Sequence, residues 1–317
     1  MPHPVLRGCR PRTPAVPRSL AVRAAGTIVA AAAVFAVPSV AQASAAAPAT
    51  IAVPCSSSAL VTAIQNANRS GAATLLLAQG CNYVLTKAVA EDDGLPPVTG
   101  NIAVIGGSGT QISRSPSAGL IRILEVSGGT LTLVGVTVAN GRLAGVDGFD
   151  DEGGGIRVAG TLVLRNVRLT GNTNTAGFGG GLYVDSGARA TISGSELDGN
   201  SAGFGGGIFS LGDITVDRSA LARNAAGDGG GIFTDPEATT RISHTVVNRN
   251  SAAQGGGINN RGAMVLSGDL VSFNQASRAG GGIFNSGPGT VTLQSTLVAF
   301  NSPDNCEPQG TIAGCRD

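Results

Sequence analysis

Gly205-Gly206-Gly207-Ile208-Phe209 is one copy of the pattern that decides the fold, a glycine triplet followed by an aliphatic residue. Its copies begin at Gly153, Gly179, Gly205, Gly229, Gly255 and Gly280, at intervals of 26, 26, 24, 26 and 25 residues. A near-constant period of this size marks a stacked repeat array, in which each unit buries its apolar face against its neighbours. No lysine follows any copy and each leads into strand-forming residues, so the triplet is not a phosphate cradle.

The segments between triplets align in phase. Leu133, Leu164, Ile192, Val216, Ile242, Leu266 and Leu293 occupy one column. Val138, Leu169, Leu197, Leu221, Val247, Val271 and Val298 occupy a second, and Ile156, Leu182, Ile208, Ile232, Ile258 and Ile283 a third. Three aliphatic columns per period imply three short strands per turn, each pointing alternate side chains inward. Stacked at about 4.8 Å, such turns lay like residues into ladders down three parallel sheets. The expected fold is all-β: a right-handed parallel β-helix, a three-sheet solenoid of about 25 residues per coil, with a short N-terminal capping helix. Left-handed forms show a shorter hexapeptide rhythm, which is the ground for the handedness.

Asn172, Asn200, Asn224, Asn250, Asn274 and Asn301 close successive turns, with Asn140 one position early. Asparagine tolerates a left-handed corner, and its amide can bond the neighbouring coil. Between asparagine and triplet the chain usually has four to six residues, whereas Gly141–Glu152 is a longer insertion of the kind on which binding sites concentrate.

Residues 1–43 read as a secretory leader. Arg7, Arg10, Arg12, Arg18 and Arg23 come without an acidic residue, Ala24 to Val37 is apolar, and Ala41-Gln42-Ala43 offers a cleavage site. The apolar stretch is short for a bilayer span, so no membrane insertion is expected once the leader is removed. Residues 44–54 read as an Ala/Pro-rich linker, 55–130 as cap helix and irregular first coils, 131–301 as regular coils and 302–317 as a terminal cap. Ser57 or Ser58 can cap a helix whose Leu60, Ala63, Ile64 and Ala67 share one face. Leu75 and Leu77, Ile102 and Val104, and Ile121 and Ile123 mark the first strands. Without the leader's five arginines, the 21 basic residues fall to 16 against 20 acidic ones, which argues against a nucleic-acid partner. Cys9 falls in the leader. The other cysteines lie in pairs near opposite ends, and an elongated rod brings only neighbours together, giving Cys55–Cys81 and Cys306–Cys315.

GGGIF, GGGIN and GGGLY, each followed by a strand and an Asn-Ser-Ala or Asn-Ala-Ala corner, resemble the repeats of bacterial right-handed parallel β-helix proteins, including the chlamydial polymorphic outer membrane proteins. The run Ala59-Leu60, Ala63-Ile64, Ala67-Asn68 followed by TLLLAQGCNYVL looks like the entry to pectin-lyase-like folds. The resemblance covers most of residues 55–306. It implies a secreted or cell-surface β-helix and, on the pectin-lyase-like side, a polysaccharide lyase or hydrolase. The chain departs from the pectinolytic enzymes in lacking their Asn-Thr-Asp and Arg-Ile-Lys runs. No series of alternating segments for a membrane barrel follows the last repeat, so autotransport is not expected.

Three groups of residues could carry chemistry. Glycoside hydrolysis needs two carboxyls at a set separation, and a lyase needs a base beside a cation that stabilises an enolate. On the repeat grid Asp217, Arg218 and His244 fall at adjacent levels, and His244 is the one histidine beyond the leader; the same residues also suit a solvated charged face. Asp147, Asp150, Asp151 and Glu152 place oxygen donors close together in the insertion, and calcium is the cofactor they would suit, although no calcium-loop spacing is reproduced. Tyr183, Phe209, Phe233 and Phe284 each follow an inward aliphatic residue, so alternation turns them outward as a stripe that could stack on sugars. Alternatively they pack beneath the Asn-to-Gly loops with Phe178 and Phe204. The expected function is that of a secreted, non-catalytic surface or matrix protein adhering to an extracellular glycan or a cell-surface protein, with a carbohydrate-active enzyme as the alternative.

Overall fold

The computed structural model describes residues 48–144 and 152–316. The leader, together with Asp147, Asp150 and Asp151, lies outside the described residues. The described chain winds as a parallel β-solenoid of about 10 turns with about 26 residues per turn, and it contains one helix.

Alternation builds each coil. In Thr130–Val134 the side chains of Leu131 and Leu133 enter the core while the flanking residues stay half-buried, and Leu162 and Leu164 of the next coil sit in register with them. Taken in the order the chain visits them, the first sheet holds 10 strands and carries the Leu133–Leu293 column; the second holds 9 and carries the Val138–Val298 column. The column from Ile156 to Ile283 lies on the fourth sheet, of 8 strands. Between them is a third sheet of 6 strands, where the sequence pattern predicts only loops. It forms from Thr173–Phe178, Ser201–Phe204, Ala225–Asp228 and their successors. These segments are nearly equal in length, so coils stay in register and their amides pair with one another. Where lengths differ the register slips, as between Asn174 and Phe178.

The glycine triplet precedes the fourth sheet and earns its place twice over. Gly205 has φ +64°, and a Cβ on Gly206 or Gly207 would fall 2.6 Å from the Gly230 carbonyl oxygen or 2.5 Å from that of Gly231. Successive coils approach too closely there for any side chain.

The asparagines form a continuous buried ladder. Asn200 donates from Nδ2 to the Leu169 carbonyl and to Asn224 Oδ1, both at 3.0 Å, while its backbone N–H reaches the same Oδ1 at 2.9 Å. The left-handed backbone belongs instead to the residue before each asparagine: Gly171, Gly199, Arg223, Arg249, Phe273 and Phe300. Asn140 occupies that corner position, at φ 62°, and its successor Gly141 donates to Asn172 Oδ1.

At the N-terminal end, Ala49–Val53 is a strand paired in parallel with Ala72–Leu77, which corrects the linker expected over 44–54; Val53 is buried in the core. Helix α1, Ser57–Ser70, follows it and buries Leu60, Ala63, Ile64 and Ala67 over the open first coil. Its cap is Ser56, one residue earlier than expected, whose hydroxyl accepts from the Ala59 N–H. Ile121 and Ile123 precede the strand Leu124–Val126 rather than forming one. The Cys55–Cys81 and Cys306–Cys315 disulfides are both present, with Cα separations of 5.6 and 6.3 Å. Two such bridges fit an oxidising, extracellular compartment.

Candidate functional site

The corner between the first and second sheets is left-handed in every regular coil. Gly135, Asn166, Gly194, Arg218, His244, Gly268 and Ser295 hold it, at φ between 45° and 70°. The strand that follows is anchored by a second hydrogen-bonded ladder that the sequence pattern does not reveal. The Val167 N–H donates to Ser195 Oγ, Ser195 N–H to Ser219 Oγ, Ser219 N–H to Thr245 Oγ1, Thr245 N–H to Asp269 Oδ1 and Asp269 N–H to Thr296 Oγ1.

Asp217, Arg218 and His244 do meet at this corner. Asp217 Oδ1 accepts from Ser243 Oγ at 2.8 Å and lies 3.3 Å from His244 Nδ1, and Arg218 reaches the other carboxylate oxygen. The Ser243 hydrogen bond is the main reason the Asp217 carboxyl sits below its ordinary pKa, with His244 and Arg218 acting in the same direction. A carboxylate beside an imidazole could orient it as a general base. Here, however, the His244 and Arg218 side chains are 66% and 73% exposed, so water reaches any group reacting there.

Toward the N-terminus the same corner sinks. Gly135 and Gly194, on either side of Asn166, leave a groove of about 410 Å³ lined by Thr110, Thr137, Asn166, Arg168 and Glu196 as well as backbone. Its lining comes from successive coils, from Gly107 to Gly194, so the groove runs along the solenoid axis. Arg218 is the ladder residue after Gly194, whose N–H bonds the Asp217 carbonyl, and it stands at the groove's end. Arg168 Nη2 bonds Asp198 Oδ2 at 2.8 Å, and Arg223 holds the other Asp198 oxygen at 2.6 Å. Burial pushes the Asp198 carboxyl up, but these two guanidinium groups more than offset it and its pKa lies below the ordinary value.

The aromatic stripe is a correction to the sugar-facing reading. Tyr183, Phe209 and Phe233 turn away from the solenoid interior as alternation predicts, yet they are 3%, 4% and 2% exposed. The third sheet folds over them, so Phe178 and Phe204, with Leu211 from just past the end of the fourth-sheet strand Ile208–Ser210, close a small second core. Stacking is direct, with Tyr183–Phe209 and Phe209–Phe233 centroids 5.5 and 5.1 Å apart. Phe284 is half-buried at the far end of this ladder, beyond Asn259.

Glu152, the described member of the acidic group, is committed elsewhere. Its Oε2 is 2.7 Å from Arg157 Nε, and Arg157 also meets Glu125 at 2.9 Å and Asp185 at 3.0 Å. Sequence reasoning misses this hub because its members are dispersed along the chain and converge only through coil stacking. Burial raises the Asp185 carboxyl even with Arg157 beside it. Among the described residues no group of three or more His, Cys, Asp or Glu is arranged to hold a metal ion. The chain matches no protein-family model, no curated protein and no solved structure at a significant level.

Proposed function

We propose that this is a secreted, non-catalytic β-solenoid that adheres to an extended polysaccharide. The observation that carries the reading is the axial groove at the first corner. At about 4.8 Å per coil, its span from the Gly107 level to the Gly194 level is roughly 14 Å, which suits a few sugar units lying along the rod. Its open, polar lining offers the Asn166 amide, the Thr137 hydroxyl and the Arg168–Glu196 pair to hydroxyl-rich ligands. A panel of neutral and uronic-acid polysaccharides, with and without calcium, tests it by calorimetry and by release of unsaturated products or reducing ends. Binding without turnover is expected, weakened by Asn166→Gly and Arg168→Gln. Binding that ignores both substitutions would sink the groove assignment.

The 3.3 Å approach of Asp217 to His244 favours a second reading, a polysaccharide lyase or hydrolase working at the groove's end. Turnover that disappears in His244→Ala would establish it.

A further inference from the structure

The most exposed large apolar side chains among the described residues gather at one end of the solenoid. Phe300 is 73% exposed, Phe273 57% and Leu297 56%, all ahead of the next, Leu120, at 44%. Phe273 and Phe300 stack on each other, centroids 5.5 Å apart, and both occupy the left-handed corner before the asparagine ladder, at φ 56° and 60°. Gly171 and Gly199 hold that corner in earlier coils. A bulky residue there is strained, and its ring gains no burial in return, so neither backbone preference nor the core explains two successive phenylalanines.

The strands of the same coil are bare. Thr290–Gln294 ends the first sheet and Leu297–Ala299 ends the second, and among the described residues no strand pairs with the outer side of either. The C-terminal segment extends the third sheet at Ser302, which bridges Gln275, and the fourth through Cys306–Glu307, and leaves the first two uncovered at their edges. Edge strands are ordinarily guarded by charge, bulge or cover. Here Ala279 through Pro303 contains no Asp, Glu, Lys, Arg or His, although the equivalent stretch two coils earlier carries Asp228, Asp235, Glu237, Arg241, His244 and Arg249.

We propose that this end coil is a self-association surface, on which a second copy of the chain docks tail to tail about a two-fold axis. The missing charge selects that partner. A two-fold axis sets the residues nearest it against their own copies, so a charge there would face its like, and an uncharged last coil avoids that repulsion while Asp304, Glu307 and Arg316 lie outside the stretch. The unpaired backbone groups of one last coil pair with those of the other, and Phe300 with Leu297 supplies the apolar contact that excludes water. The reading does not depend on the groove binding a glycan.

Light scattering and sedimentation of the full, oxidised chain across a concentration series test it. A discrete, concentration-dependent dimer is expected. Phe300→Gly, which restores the residue that earlier coils use, should weaken the dimer by about tenfold or more. It should not lower the melting temperature of the monomer, because the corner is relieved of strain. Thr292→Lys, which guards the exposed edge with a charge, should do the same without touching the corner. The proposal is overturned by a chain that stays monomeric throughout, by a dimer that both variants leave intact, or by open-ended filaments, which would mean head-to-tail pairing.

Discussion

Asn224→Ala is the sharpest test of what holds successive coils together. Asn224 is fully buried in the middle of the ladder. Its Nδ2 donates to the Leu197 carbonyl at 2.9 Å and to Asn250 Oδ1 at 3.0 Å, and its Oδ1 accepts from the Asn200 backbone N–H at 2.9 Å and from Asn200 Nδ2 at 3.0 Å. Alanine removes all of these. Asn250 Oδ1 keeps the Asn224 N–H, and Asn200 Nδ2 keeps the Leu169 carbonyl, so each retains a partner. The Leu197 carbonyl keeps its place in the parallel ladder beside Ala222, whereas the Asn200 N–H is left without a partner inside the rod. An orphaned buried donor costs about 1–3 kcal/mol, which is the loss expected here.

The assay is urea unfolding followed by circular dichroism, since the chain has no tryptophan to report by fluorescence. Repeat arrays need not unfold as one unit, so the slope must be compared with the midpoint; a reduced slope means that the coils on either side have uncoupled. Thr215→Ala, on the exposed face of the first sheet, serves as the control and should lie within about 0.5 kcal/mol of the parent. Asn301→Ala, at the half-buried end of the ladder, should fall between the two. An Asn224→Ala midpoint indistinguishable from that of Thr215→Ala would refute the ladder as a stabilising device.

Gly206→Ala should destabilise by about 1–3 kcal/mol or more, because its Cβ would press on the Ala225 and Gly230 carbonyls. Gly187→Ala, with φ +75° and open space, should lose only about 1–2 kcal/mol from the left-handed backbone, and equal losses in thermal melts would contradict the close-approach argument. Asp93, 2.9 Å from Arg122, has its carboxyl pushed up to about 7, because burial and the neighbouring Glu125 outweigh the pull of the Arg122 charge. Its folded pKa lies above the unfolded value, so its contribution to stability is full in acid and is lost as pH rises through about 7. Asp93→Asn should therefore flatten the decline in urea midpoint between about pH 4 and pH 7, and a variant that keeps the parent's slope would exclude Asp93 as its source. Asn259, 1% exposed in the aromatic ladder, buries an amide with neither side-chain atom bonded; Asn259→Leu should raise stability by about 1–2 kcal/mol, and a lowered melting temperature would show that the amide is satisfied.

The coil was legible because its period is written in residues that have no other use. Leu164, Ile192 and Val216 recur in phase since each must enter the same core, and Gly206 recurs since nothing larger fits. The third sheet was not legible. Ser201-Ala202-Gly203-Phe204 shows no alternation of its own and becomes a strand only because Ala225–Asp228 lies beside it at the same length. Alternation likewise assigns Phe209 to the outside of the solenoid but is silent on what covers the outside, so the sequence left an exposed stripe and packing with Phe178 and Phe204 both open, and the structure shows the packing. The Arg157 hub needed contacts between coils that no local pattern records.

One regularity joins the groove to the proposed interface. Side chains on the sheets answer to packing, inward to the core or outward to a neighbouring ladder, and this narrows what each can be. A left-handed corner answers to the backbone alone, and glycine satisfies it at least cost. Departures from glycine at a corner therefore carry information that sheet positions cannot. At the first corner the departures are Asn166, Arg218, His244 and Ser295, all polar, of which Asn166 lines the groove. At the second they are Asn140, Arg223, Arg249, Phe273 and Phe300, polar or charged in the earlier coils and aromatic in the last two. The same backbone demand is met in one place by groups that suit hydroxyls and in the other by groups that suit a dry contact. The corners, along with the open outer face of the first sheet where Thr215 and Arg241 share a column, are thus where a solenoid of this kind can vary its surface chemistry without disturbing its core.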